Sequence, residues 1–148
     1  MAEENNWLFN NSIFDTAPEE YEGFVYLITN TITGRMYIGK KSFWSRRKDK
    51  KTKRRKTLES DWKRYYSSSD EVKKEVDQYG RQAFKREILF LCVHKKSMSF
   101  YEIREQFIQD VLLKDNFYNT NIAGKFFDDE RDRLYKKIKQ TGEHNENV

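Results

Sequence analysis

The sequence predicts an α+β fold, a small three-stranded antiparallel-containing sheet flanked by helices, with polar N- and C-terminal extensions. Three observations predict it. GFVYLITN (23–30) and MYIGKK (36–41) are β-branched and aromatic runs separated by TITGR, whose Gly34 suits a hairpin loop of three to five residues. FKREILFLCV (84–93) has the length and apolar content of a third strand, buried on both faces at its end. The segments around it repeat apolar residues at helical spacing.

Taken in order, residues 1–20 are polar and rich in Asn and Glu, with scattered Trp7, Phe9 and Phe14, and read as an N-terminal arm closed by Pro18. A compact domain spans 21–126. Its hairpin runs into a basic loop, and LESDWKRYYSS (58–68) begins with a short helix. Ser69 is placed to cap DEVKKEVDQY, where Val72 and Val76 share a face and Gly80 stops the helix. After the third strand, Ser97 to Ser99 cap a helix over 100–113 with an apolar stripe of Ile103, Phe107, Ile108, Val111 and Leu112. FYNTNIAG (117–124) is a loop or short extended piece. Residues 127–148 form a polar C-terminal helix and tail, the helix over 128–140.

At 148 residues the chain has one domain's worth of sequence. Its 36% charged residues suit charged loops and tails, while 16% aromatics argue against disorder throughout. The longest apolar run, Ile88 to Val93, is six residues, against the roughly 20 of a membrane span. The acidic start lacks a signal-peptide core, which points to a reducing, cytoplasmic setting. Cys92 is the only cysteine, so a disulfide framework and a cysteine zinc site are excluded and the residue belongs in the core.

Charge is concentrated. The chain carries +5, but RRKDKKTKRRK (46–56) holds nine Lys or Arg and one Asp, so the remainder is slightly acidic. Such a block repels itself, stays out of a core and neutralises phosphates. Arg46, Lys48, Lys50, Lys51, Lys53, Arg54, Arg55 and Lys56 are the candidate nucleic-acid contacts, with Lys40 and Lys41 at the end of the preceding strand. Trp44 and Trp62 could stack on bases, but core packing suits them better, and His94 reads as a surface histidine.

A turn centred between residues 31 and 32 sets Tyr26 opposite Tyr37, with the two phenols side by side on one face. Gly39 then allows a close approach of backbone. Here the sequence resembles the GIY-YIG endonucleases. Phe24-Val25-Tyr26, preceded by Gly23, stands as the first motif and Tyr37-Ile38-Gly39 as the second, with the tyrosines eleven apart. Arg47 lies ten residues past the second tyrosine, where the family carries its arginine, and EQFIQDVLLKDNFYN (105–119) supplies a glutamate and an asparagine at family spacing. The resemblance spans roughly 23–121 and looks most like the phage-encoded, homing-endonuclease-like branch. Phe24-Val25 replaces Gly-Ile, and no histidine stands near the arginine.

The resemblance implies an endonuclease that hydrolyses DNA phosphodiesters with one divalent cation, Mg²⁺ or Mn²⁺. It implies catalytic roles for Tyr26, Tyr37, Arg47 and Asn119: a tyrosine orienting and deprotonating water, the arginine forking onto the scissile phosphate, the asparagine holding backbone or metal waters. The metal ligand is Glu105 or Glu102; helical geometry slightly favours Glu105, at the edge of the apolar stripe, while the Glu-x-x-x-Gln pattern from Glu102 to Gln106 keeps Glu102 open. Asn121 is the alternative to Asn119. The partner is DNA, not a membrane, in the bacterial host cytoplasm if the protein is phage-encoded, and a homodimer would allow both strands to be cut. The alternative is a catalytically inactive basic nucleic-acid-binding module of the same fold.

Overall fold

The computed structural model describes residues 5–129; the helix expected over 128–140 and the tail after it lie outside the described residues, apart from Asp128 and Asp129. The strands are β1 (Trp7–Phe9), β2 (Ser12–Phe14), β3 (Gly23–Asn30), β4 (Met36–Ser42), β5 (Trp44–Lys48), β6 (Arg55–Glu59), β7 (Phe84–Cys92), β8 (Asn121–Ile122) and β9 (Phe126–Phe127). The helices are α1 (Asp70–Tyr79) and α2 (Lys95–Ile108). The architecture is α+β, as expected, but the main sheet has five strands in the order β2-β1-β7-β3-β4 rather than three.

The two additional strands come from the expected arm. β1 pairs parallel with β7, and β2 folds back on β1 through Asn10 and Asn11, both at positive φ, the geometry of a two-residue hairpin turn that asparagine tolerates. Trp7 is buried and its indole donates to the carbonyl of Trp62 at 2.7 Å. Three-residue strands are too short to display an alternating pattern among polar neighbours, so the sequence hides them. Arg86 on β7 ties this layer together. Its guanidinium donates to the carbonyls of Tyr65 (2.8 Å) and Asn5 and lies against the rings of Trp7 and Tyr66. Burial lowers its pKa to about 10, with the charge on Arg81 acting in the same direction and Tyr66 opposing.

The β3–β4 hairpin forms in a different register from the one expected. Tyr26 faces Gly39, and Tyr37 faces Ile28. The turn is longer: the Asn30 amide donates to Arg35 O at 2.8 Å, and the Asn30 side-chain oxygen accepts from the amides of Ile32 and Thr33. This moves the turn centre by one residue and each partner by two. A two-residue shift preserves the face, so the tyrosines still share a side as diagonal neighbours, with ring centroids 6.2 Å apart.

Sheet alternation builds a core on each side. Phe24, Tyr26 and Ile28 pack with Trp7, Phe43, Trp62 and the buried Val72 and Val76 of α1. Val25 packs with Ile38, Cys92, Met98 and Val111 beneath α2. Ser69 caps α1 by accepting from the Val72 amide at 3.3 Å, as expected. Residues 62–64 form only a single 3₁₀ turn.

Two further expectations are corrected. α2 starts five residues earlier than expected, because His94 and Ser97 exchange capping bonds, and it ends at Ile108, before Asp110 takes a positive φ. Phe107 and Ile108 are therefore exposed, while Met98 and Gln106 turn inward. The basic stretch is not a loop but largely an antiparallel ribbon, β5–β6, hydrogen-bonded separately from the main sheet.

Candidate active site

Strand β4 is an edge of the sheet, and unpaired edge groups must be satisfied or covered. Asn119 does this at Ile38: its Oδ1 accepts from the Ile38 amide (3.1 Å) and its Nδ2 donates to the Ile38 carbonyl (2.9 Å). Gln106 Nε2 donates to the same carbonyl at 3.0 Å. One loop and one helix are thus clamped to the residue between Tyr37 and Gly39. Over this clamped edge opens a cleft of about 530 Å³, lined by Tyr37, Ser68, Glu102, Gln106, Tyr118 and Asn119 among others.

Gly39 is required by what lies across it. A β-carbon there would come within 2.5 Å of the Tyr26 hydroxyl oxygen and 2.8 Å of the Tyr37 ring. Tyr26 is 1% exposed, and burial first, then Tyr65, Tyr37 and Glu102, push its phenol well above the usual tyrosine range. Tyr37 reaches the cleft. Its hydroxyl sits 3.3 Å from Ser68 Oγ; burial raises its pKa, a shift the Ser68 hydrogen bond opposes. Ser67, buried at φ +93, turns the chain just before Ser68.

The structure separates the two candidate glutamates. Glu102 lines the cleft; burial raises its pKa, with Lys40 pulling the other way. It makes no hydrogen bond or ion pair among the described residues. Glu105 does not line the cleft and accepts from Gln109 Nε2 at 3.0 Å. Helical geometry favoured Glu105 on a helix placed over 100–113 with its stripe at 103, 107 and 108, whereas α2 spans Lys95–Ile108. The inward face runs Met98, Glu102, Gln106, four residues apart. The Gln106 Oε1 atom is buried without a hydrogen-bond partner among the described residues. A carboxylate free of ion pairs beside an orphaned carbonyl oxygen is a hard-oxygen donor set, which fits a divalent cation that keeps several waters.

The remaining expected residues divide. Asn119 is buried at the site, whereas Asn121 lines the cleft rim and accepts from the Gly124 amide. Arg47 is not brought to the tyrosines: it is an exposed residue of β5 and does not line the cleft. Arg46 is ion-paired to the 91%-buried Glu22 at 2.8 Å. Lys48, Lys50, Lys51, Lys53 and Arg54 are exposed on or near the ribbon tip, and Arg55 and Lys56 occupy register positions opposite Lys48 and Arg47. Lys40 donates to Ser99 at 2.7 Å, and Lys41 bonds Asp61 (2.7 Å) over the Tyr65 ring. Cys92 and Trp62 are core and His94 is exposed, as their sequence readings expected. Trp44 is only partly buried against the core and donates its indole to Tyr21 O, and the capping of α2 by His94 was not foreseen.

Sequence reasoning missed Tyr65, Ser68 and the part played by Gln106. Tyr65 packs edge-on to Tyr26 at 6.1 Å and helps to raise its pKa. Only the aromatic pair in RYYSS hinted at it. Gln106 could have been found as the fourth residue after Glu102, on the same face.

Residues 7–122 match the family described as "Putative endonuclease segE, GIY-YIG domain". Neither the curated proteins nor the solved structures gave a match. No helix among the described residues is long and apolar enough to cross a membrane.

Proposed function

The chain belongs to the GIY-YIG endonuclease domain family, and from that premise we propose that it is a divalent-metal-dependent endonuclease hydrolysing DNA phosphodiester bonds. The observation that carries the reading is the meeting of Tyr37, Glu102 and the orphaned Gln106 oxygen in one cleft over the clamped second motif. Glu102 would hold Mg²⁺ or Mn²⁺, with the Gln106 oxygen as a further hard donor in the same cleft. When bound, the cation would supply Lewis acidity to the phosphate.

Tyr37 orients the attacking water and would take its proton only with a bound cation offsetting the burial that raises its pKa. Hydrolysis adds the water oxygen to phosphorus and releases one bridging oxygen, which takes a proton from solvent. Lys40, beside Glu102, contacts the phosphate. Tyr26 is a positioning residue: its ring fills the space over Gly39 and sets Tyr37. Asn119 fixes the β4 backbone beneath both. Arg47 binds phosphate on the ribbon, away from the reacting atoms. One cleft cuts one strand, so the isolated chain nicks, and two copies on one site cut both strands. The segE description of the matching family fits a phage-encoded enzyme, which would work in the bacterial host cytoplasm.

Supercoiled plasmid tests this directly. Mg²⁺-dependent nicking that Tyr37→Phe and Glu102→Gln both lower by about 10²-fold or more is expected. No cutting by a folded protein that still retards DNA would overturn it in favour of an inactive binding module.

A further inference from the structure

Among the described residues, the β5–β6 ribbon is held to the body only at its base. The Trp44 indole donates to Tyr21 O at 2.9 Å, Arg46 pairs with Glu22, and the Trp62 indole donates to Glu59 at 2.7 Å. Beyond Arg46 no hydrogen bond or ion pair joins the ribbon to the rest of the described residues. What lies beyond is nearly all cationic. The register sets Arg47 opposite Lys56 and Lys48 opposite Arg55. Residues of like charge directly opposite each other oppose strand pairing. The only acid in the block, Asp49, is engaged in the turn, accepting from the amides of Lys51 and Thr52. Arg47, Lys48, Lys50, Lys51, Lys53 and Arg54 are exposed and have no ion-pair partner among the described residues.

Such an element is stable in company with a polyanion, and its shape says which. Arg47 and Lys48 are consecutive strand residues, so they belong to opposite faces of the ribbon. An element that lies along one phosphate backbone needs cations on one face only; this one carries them on both. Strands of five residues extend about 17 Å, and the pair is about 5 Å wide before side chains. The major groove of B-form DNA, about 12 Å wide, admits a two-stranded ribbon, while its minor groove, about 6 Å wide, does not. The major groove of an RNA duplex is too narrow and deep. Single-strand binding surfaces interleave cations with aromatic stacking platforms, and residues 45–58 contain no aromatic at all.

We propose that the β5–β6 ribbon enters the major groove of duplex DNA, with Arg47 meeting one phosphate wall and Lys48 the other. The choice of DNA rests on the nuclease reading; the groove geometry does not. The ribbon then grips the substrate independently of the cleft that cuts it.

The test is binding of the full chain in EDTA, where no cutting occurs, followed by fluorescence anisotropy. The probes are a 30-base-pair DNA duplex, one of its single strands, and an RNA duplex of the same sequence. The expected result is DNA-duplex binding at least tenfold tighter than to either other probe. Arg47→Gln and Lys48→Gln should each weaken duplex binding by about three- to tenfold and each lower the salt slope by about 1. The combined Lys50→Gln, Lys51→Gln, Lys53→Gln, Arg54→Gln variant should lower it by about 3 to 4. All these residues are exposed, and unchanged circular dichroism and melting confirm folding. Equal affinity for the single strand or the RNA duplex overturns the proposal, as does silence of either Arg47→Gln or Lys48→Gln, which would mean one-face docking. Duplex-selective binding without any cutting in Mg²⁺ would sink the nuclease reading and leave the ribbon standing; cutting without duplex selectivity would do the reverse.

Discussion

The cleft over β4 and the ribbon of β5 and β6 are adjacent in sequence and opposite in physics. In the cleft every group is fixed. Gly39 is pressed by two tyrosine rings, Ile38 is clamped by two side-chain amides, and Glu102 is half-buried. In the ribbon almost nothing is fixed beyond its base, and like charges face each other across the strands. The contrast teaches a division of labour. Chemistry needs groups held in advance, because orientation and electrostatic preorganisation lower the barrier only when they are settled before the reaction. Grip on a polyanion needs charge on an accessible element, and its strength comes from released counterions rather than from fixed geometry.

The largest effect that would sharpen this division is at Glu102. Glu102→Gln should lower Mg²⁺-dependent nicking on the order of 10³-fold, the scale of losing a metal's stabilisation of developing charge, while duplex affinity in EDTA stays within about twofold. Glu105→Gln should leave the rate within about threefold. A reversal of the two would break the comparison, since it would put the metal outside the clamped cleft. Next comes Tyr37→Phe, which keeps the ring packing and removes the hydroxyl. Initial nicking rates should fall about 10²-fold, the typical value of a positioned acid or base, again without loss of binding.

How much of this was legible in the sequence follows the same divide. The hairpin, its two motifs and the capped α1 were readable because strand composition, a glycine turn and an N-cap are local signals. The register was not, because the Asn30 side chain and the Asn30–Arg35 closure lengthen the turn by an amount no propensity announces. β1 and β2 were hidden by brevity, and their partner β7 is over seventy residues away. The lean toward Glu105 over Glu102 has a related cause. The face of α2 depends on where the helix starts, and a histidine cap at His94 is a weak signal beside Ser97 and Ser99. Arg47 was placed by spacing alone, and spacing does not reveal that its strand leaves the main sheet.

Smaller effects probe the clamp itself. Gly39→Ala must displace either the Tyr26 hydroxyl or the Tyr37 ring, so urea unfolding should show a loss of about 1–3 kcal/mol, with nicking reduced as Tyr37 shifts. Asn119→Ala orphans the Ile38 amide at a buried site, worth about 1–3 kcal/mol, although the Ile38 carbonyl keeps Gln106. A neutral result at either position would mean the edge is looser than its hydrogen bonds describe.

The finest test separates the two tyrosines by their protons. An unfolded chain releases a tyrosine proton near pH 10. Folded Tyr26 holds its proton well above that, chiefly through burial and then through Tyr65 and Tyr37. Its contribution to stability is therefore complete below pH 10 and is lost as pH rises from there through the folded value. The slope is at most about 1.4 kcal/mol per pH unit from this one group. Tyr37 and Tyr118, whose phenols are also raised by burial, add to it in the same direction. Urea midpoints of the wild type should thus fall between pH 9.5 and about 11, and Tyr26→Phe should reduce the slope without abolishing it. In a phenolate absorbance titration of the folded protein, Tyr26→Phe should remove no amplitude below about pH 10.5. Amplitude lost there would mean that solvent reaches Tyr26, and the proton-accepting role assigned to Tyr37 would then have to be shared with the residue that now only holds it in place.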